Sequence, residues 1–234
     1  MTSRYLAIDL GAETGRVMLG TLESGCVSLK ELSRFSNEPL RDGDGIYWNI
    51  PALIEGVRNG LVNAGALGYP ITSVSADAWG VDYVLIDKKG EIMEPVFHYR
   101  HPRTIDGEKK ALVKVDWPTL FDESGVQYML LNTSIQLCSE VPDRLGMANT
   151  ILTIADAFNY ILSGVAKIEV SMASTTQLYN PRLNCWSDRL IKDLGLPRSM
   201  FPEVVSPATT LGPLKPDFSQ CSGLNLSLIH ISEP

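Results

Sequence analysis

Basic residues are in the minority: 20 Lys and Arg stand against 27 Asp and Glu, a formal net charge of −7. A broad nucleic-acid face wants clustered Lys and Arg, so that class of partner is excluded. The four cysteines, at 26, 138, 185 and 221, form no C-x-x-C pair. That speaks against a zinc knuckle or a disulfide scaffold and for scattered reduced thiols. No apolar run approaches the ~20 residues of a membrane span. Met1-Thr2-Ser3-Arg4 leads into a few apolar residues, with no signal-peptide core, and a cytoplasmic protein with no membrane partner is expected. There are only three histidines, His98, His101 and His230, and none is followed by Asp. His98 and His101 flank Tyr99 and Arg100 with no further ligand types beside them, which makes metal ligation there a poor reading. No internal repeat or low-complexity segment is present.

What is there is an ordinary globular composition, 44% hydrophobic and 20% charged over 234 residues, enough for one large or two small domains. It suits a soluble metabolic enzyme. Residues 5–9 and 16–23 read as paired strands, and 27–35 as a third antiparallel strand with Leu32 and Phe35 off register. Residues 37–45 read as a polar loop with Asp-Gly turn signals. A helix starts near Asn49, which can cap it, with Pro51 in the first turn. Gly65 and Gly68 end it. Residues 71–76 form a strand, and 83–87 with 92–96 a hairpin across Lys88-Lys89-Gly90. From Pro102 the pattern turns helical: 105–115, 119–124, 133–145, 151–162 and 186–194. After Ser206 the Pro- and Gly-rich composition reads as a connector. A helical crossover out of a meander implies a mixed sheet with helices packed on it.

Four stretches carry chemistry. In Asp9-Leu10-Gly11-Ala12-Glu13-Thr14-Gly15-Arg16 a strand ends in a carboxylate and a glycine-bearing turn. It lacks the Lys-[Ser/Thr] of a P-loop and the spacing of G-x-G-x-x-G. Two readings stay open: a plain hairpin turn, or an anion nest with Thr14 and Arg16 beside it and Asp9 on the Mg²⁺ side. Asp77-Ala78-Trp79-Gly80-Val81-Asp82 offers a flat ring beside bare backbone, which suits a sugar. It also suits a core Trp at a bulge, with Asp77 and Asp82 making local turn bonds. Asn132-Thr133-Ser134-Ile135-Gln136-Leu137 reads as a helix cap with Gln136 one turn on. Ser174-Thr175-Thr176-Gln177-Leu178 reads as a pocket-lining polar loop or a helix start.

Taken together, these stretches resemble the N-terminal domain of the FGGY carbohydrate kinases and, within that family, its rhamnulokinase branch. The likeness rests on Ala7-Ile8-Asp9-Leu10-Gly11-Ala12, Gly15-Arg16-Val17, Trp79-Gly80-Val81-Asp82-Tyr83-Val84-Leu85, Tyr99-Arg100, Ser124-Gly125-Val126-Gln127, Asn132-Thr133 with Gln136-Leu137, and Thr175-Thr176-Gln177-Leu178. The Trp-Gly-Val-Asp run singles out the branch. The resemblance implies an α/β fold of the RNase H-like, actin-type ATPase kind, a mixed β-sheet with flanking helices, in a protein of two domains with the active site between them. It implies transfer of the ATP γ-phosphate to the 1-hydroxyl of L-rhamnulose, with ATP and Mg as cofactors. By that likeness Ala12, Glu13, Thr14, Gly15 and Arg16 contact the ATP phosphates, the Glu13 side chain pointing away from them. Asp9 lies on the metal side. Gly80 contacts the sugar, with Trp79 and Asp82 as neighbours. The partners implied are the sugar and ATP, and the full-length protein is expected to be a monomer.

The same resemblance sets expectations about what this chain does not hold. The family's catalytic base is an Asp in a His-Asp-Thr-like motif beyond the matched stretch, so no catalytic residue is assigned here. The expected organisation is an N-terminal domain over 1–218 and a connector plus tail over 219–234, with the ATP-binding domain absent. Residues 226–234 resemble a translated transposase-type sequencing adapter, so native sequence is expected to end near Asn225. The chain alone is therefore expected to be inactive, and its inner face to expose apolar surface. Two other functions are set beside this one: a non-catalytic sugar-binding module, or a kinase for another ketose of the family. An RNase H-like nuclease would need several carboxylates on two metals, and Asp9 has no evident partners.

Overall fold

The computed structural model describes residues 2–230; the readings placed on 231–234 lie outside the described residues. The chain opens as the alternation of its apolar residues dictates. Strands β1 (Thr2–Leu10), β2 (Thr14–Glu23) and β3 (Cys26–Ser36) form an antiparallel meander. Leu6, Ile8, Leu10, Val17 and Leu19 all point to one face and are buried. The off-register Leu32 and Phe35 are explained by a bulge in the β2–β3 ladder between Val17 and Met18.

Residues 37–45 are more regular than a polar loop. β4 (Leu40–Asp42) and β5 (Gly45–Trp48) pair across the Asp-Gly turn. The turn signals were hairpin signals. Helix α1 (Ile50–Gly65) begins where Asn49 Oδ1 accepts from Ala52 N at 3.2 Å. It lays Leu53, Val57, Leu61 and Ala64 on the meander, and Phe35 fits between Gly15 and Gly56, where a Cβ would come within 2.2 and 2.5 Å of its ring.

After α1, β6 (Ser73–Ala78) runs parallel to β1. β7 (Tyr83–Asp87) does not make the expected hairpin ladder with 92–96, to which a single bridge, Ile86 to Ile92, connects it. β8 (Val96–Phe97) pairs with β5 instead. Helices α2 (Thr104–Lys114) and α3 (Trp117–Ser124) follow. The helix expected over 133–145 is two short ones, α4 (Thr133–Cys138) and α5 (Pro142–Met147), because Pro142 starts a new first turn. β9 (Ala148–Thr153) is the true ladder partner of β7, and Thr153 caps α6 (Ile154–Ser163). Residues 151–153, expected as helix, are thus strand, as their β-branched character allows.

Short pieces follow: β10 (Ile168–Glu169), α7 (Val170–Thr175), β11 (Tyr179–Asn180), β12 (Cys185–Trp186), α8 (Asp188–Asp193) and β13 (Val204–Val205). The Pro- and Gly-rich stretch contains β14 (Thr209–Pro213), α9 (Pro216–Ser222) and β15 (Ser227–His230). β15 lies between β14 and β6 and buries Leu228, so the principal sheet runs β14-β15-β6-β1-β2-β3.

Candidate active site

Parallel strands β1 and β6 end side by side, with Asp9 opposite Asp77 and Leu10 opposite Ala78. The turn after β1 and the loop after β6 therefore leave the same carboxyl edge of the sheet, where open α/β sheets bind ligands. In the turn, Gly11 N donates to Thr14 O at 2.8 Å. Asn37, at the end of β3, ties it down: its Nδ2 donates to Gly11 O at 2.9 Å and its N to Glu13 O at 2.9 Å. Glu13 and Thr14 are exposed at the tip. Arg16, one pair back along β2, forms an ion pair with Asp9, both side chains remaining close to half exposed. A Cβ on Gly11 would sit 3.0 Å from Thr14 O, so the tightness of the turn selects glycine there. Asp77 Oδ1 accepts from Ala78 N at 2.9 Å, the local turn bond expected of it.

The loop after β6 is anchored from below by Asp82, which is fully buried. Its Oδ2 accepts from Trp48 Nε1 at 2.6 Å, Trp79 Nε1 at 3.0 Å and Tyr99 N at 3.3 Å. Its Oδ1 accepts from Gln136 Nε2 at 2.9 Å. Burial pushes the Asp82 carboxyl up to about 6, against the pull of these donors. The rings it holds form a stack: Trp48 lies 4.2 Å from Trp79 and 4.2 Å from His98, and His98 lies 4.3 Å from Tyr99. Burial, with Arg100 and Arg41 nearby, pushes His98 down to about 4. Its Nδ1 accepts from Arg100 N at 2.9 Å, and His101 Nδ1 from Arg103 N at 3.0 Å. Both histidines are thus structural acceptors in their own loop.

Between the turn and this stack lies a cavity of about 320 Å³, lined among others by Ala12, Glu13, Asn37, Arg41, His98 and Tyr99. The remaining two motifs converge on the loop from behind. Thr133 Oγ1 donates to Val81 O at 2.6 Å, and Thr175 Oγ1 accepts from Val81 N at 3.4 Å. Asn132 makes no side-chain cap bond to α4 and instead donates to Gln127 O at 3.0 Å. The cap reading of 132–137 is therefore corrected: Thr133 and Gln136 brace the loop after β6. Thr176 and Gln177 are buried behind it.

The model of the FGGY family of carbohydrate kinases, N-terminal domain, matches residues 4–232. The chain belongs to this family. It is 35% identical over 214 residues to a rhamnulokinase of Ligilactobacillus salivarius, covering 92% of this chain and 44% of that protein. It is 37% identical over 213 residues to a rhamnulokinase of Pectobacterium atrosepticum, covering 88% of this chain and 43% of that protein. The chain thus spans less than half the length of these relatives. Among solved structures, a gluconate kinase from Lactobacillus acidophilus superposes with a TM-score of 0.87 at 12% identity, over 99% of this chain and 48% of that one. A Plasmodium falciparum glycerol kinase with ADP gives 0.82 at 14% identity, over 98% and 48%. At that identity the likeness establishes the fold, the actin-like ATPase type, and the mixed sheet with flanking helices agrees with it.

Within this FGGY domain the structure brings Asn37, Arg41 and Trp48 to the site, none of which carries a functional signal in the sequence. Asn37 and Arg41 reach the cavity from the stretch that reads as a polar loop with turn signals. Trp48 ends β5, a strand of four residues too short to announce itself by alternation. Asp77 stands beside Asp9 although no spacing rule links positions so far apart. Gly80 is close-packed: a Cβ there would lie 3.1 Å from Thr175 Cγ2.

Proposed function

We propose that this chain is the sugar-binding half of an ATP-dependent kinase that phosphorylates L-rhamnulose on its 1-hydroxyl. The observation that carries the reading is the shared sheet edge: the turn after β1 and the Trp79-bearing loop after β6 leave it side by side, and the turn shares a cavity with His98 and Tyr99, whose neighbour Trp48 packs on Trp79. The rhamnulokinase relatives support the choice of sugar. Trp79 and Tyr99, half-buried, offer ring faces to the C–H side of a sugar, and Arg41 and Asn37 offer polar groups to its hydroxyls. Asp82 is the support beneath that wall.

The turn fits Mg·ATP. Asp9 is a half-exposed oxygen donor, and Thr14 adds an exposed hydroxyl. Among the described residues no group of three or more His, Cys, Asp and Glu is gathered to cage a metal. That suits Mg²⁺ held by one carboxylate, water and phosphate oxygens. Asp9 would hold the ion, and Ala12 to Arg16 would position the phosphates. Bound, Mg·ATP supplies the phosphoryl group and neutralises its charge. Phosphoryl transfer asks the protein for positioning and for a carboxylate to take the hydroxyl proton. That carboxylate belongs, in this reading, to the part of the kinase beyond this chain.

Calorimetry with L-rhamnulose, and a coupled ADP assay, test the proposal on the chain itself. Binding of L-rhamnulose without ADP release is expected. Measurable turnover would overturn the inactivity of the half. Binding of D-xylulose but not L-rhamnulose would overturn the substrate.

A further inference from the structure

Val81 has φ of +68°. The left-handed region crowds Cβ against the carbonyl, and for a β-branched residue it is a true outlier. Such a conformation persists only where the surroundings over-determine it, which happens at ligand clamps. Here three side chains do so. Thr133 Oγ1 donates to Val81 O at 2.6 Å, Gln136 Nε2 donates to the same oxygen at 3.2 Å, and Thr175 Oγ1 accepts from Val81 N at 3.4 Å. Gln136 is fully buried, and its Nε2 also reaches Leu131 O and Asp82 Oδ1, each at 2.9 Å. Its Oε1 has no partner. A buried amide that leaves one end unsatisfied is costly. That cost is set against what the other end does: every acceptor that Nε2 meets lies in the loop after β6 or in the lead-in to α4.

We propose that Thr133, Gln136 and Thr175 form a clamp that holds Gly80 and Val81 in a strained, preorganised turn, and that Gln136 is thereby a positioning residue for the sugar. The inference rests on the sugar-kinase reading for its ligand but not for its mechanics. Without the clamp the turn relaxes, Trp79 and Gly80 lose their set relation to Trp48 and Thr175, and the sugar must order them on binding.

The test uses the 234-residue chain. Val81→Gly relieves the backbone, whereas Val81→Ala removes the side chain and keeps the strain. Val81→Gly is expected to have the higher urea midpoint, the reverse of the usual order. Gln136→Met keeps the volume and removes the hydrogen bonds; it should weaken L-rhamnulose binding on the order of tenfold. Its loss of stability should be smaller in the Val81→Gly background than in the parent, a coupling that merely structural burial would not produce. If Gln136→Met fails to fold, Thr133→Val serves in the same cycle. Additive midpoints, or a Val81→Ala chain more stable than Val81→Gly, would overturn the clamp. If the parent binds no L-rhamnulose, the substrate reading falls while the urea cycle still decides the clamp. An unchanged Kd for Gln136→Met would remove its positioning role.

Discussion

Asp82 and His98 both contact Trp48, and burial moves them in opposite senses. Asp82 is lifted from 3.8 to about 6, which corresponds to about 3 kcal/mol. Its raised folded value favours the folded chain fully below 3.8, and that advantage is lost as pH rises through about 6. His98 is lowered from 6.5 to about 4 by burial and by Arg100 and Arg41. It favours the folded chain above 6.5 and loses that as pH falls through about 4. Between about 4 and 6 the two slopes oppose each other. Asp82→Asn should therefore expose the histidine slope: its urea midpoint should fall more steeply than the parent's as pH drops from 6.5 to 4. His98→Gln should do the converse. Parallel pH profiles for Asp82→Asn and the parent would show that Asp82 does not titrate in this window. None of this was visible in the sequence. Trp-Gly-Val-Asp announced a ring beside bare backbone, but that the Asp is the support beneath the ring depends on Trp48, a hydrogen-bond partner 34 residues away.

At the scale of elements, the clearest case is α1. Gly60 lies on its buried face, where a Cβ would fall 2.3 Å from Val17 Cγ2 and 2.6 Å from Ser33 Oγ. Helix propensity alone favours Gly60→Ala by ~1 kcal/mol. Overpacking against β2 and β3 costs ~1–3 kcal/mol, so a net loss of stability is expected in urea unfolding. A gain would mean that the sheet yields at Val17. Local rules served where an element is decided by its own residues: the alternation in β1 and β2, and the Asn49 cap. They failed where the partner is distant. Ile151-Leu152 reads equally as strand or helix start until β7 claims it as a ladder partner. Asn132 and Thr133 read as cap residues, with Gln136 one turn on, because Val81 lies 52 residues from Thr133 and 55 from Gln136. The chemistry-bearing stretches were legible as a set, through their resemblance to a family, well before their contacts were.

For the molecule as a whole, the β1–β3 meander buries one face and leaves apolar residues exposed on the other. The even-numbered positions of β1, Leu6, Ile8 and Leu10, are buried against helices, while Tyr5 and Ala7 face outward. Register places Gly20 beside Tyr5 and Leu29 beside Gly20, and likewise Leu22 beside Ser3 and Val27 beside Leu22. Tyr5, Leu22, Val27 and Leu29 are therefore one outward apolar surface, with Val27 and Leu29 69% and 70% exposed. They lie on β3, the edge of the sheet, where unpaired backbone groups already invite strand addition. An apolar face beside an open edge is an association hazard. The chain should accordingly self-associate as its concentration rises, seen as a growing weight-average mass in light scattering. Leu29→Lys places a charge in the middle of that surface without touching the buried face, and it should lower the mass at equal concentration while leaving the urea midpoint in place. Equal scattering by the two chains would show that the outer face is not what brings them together.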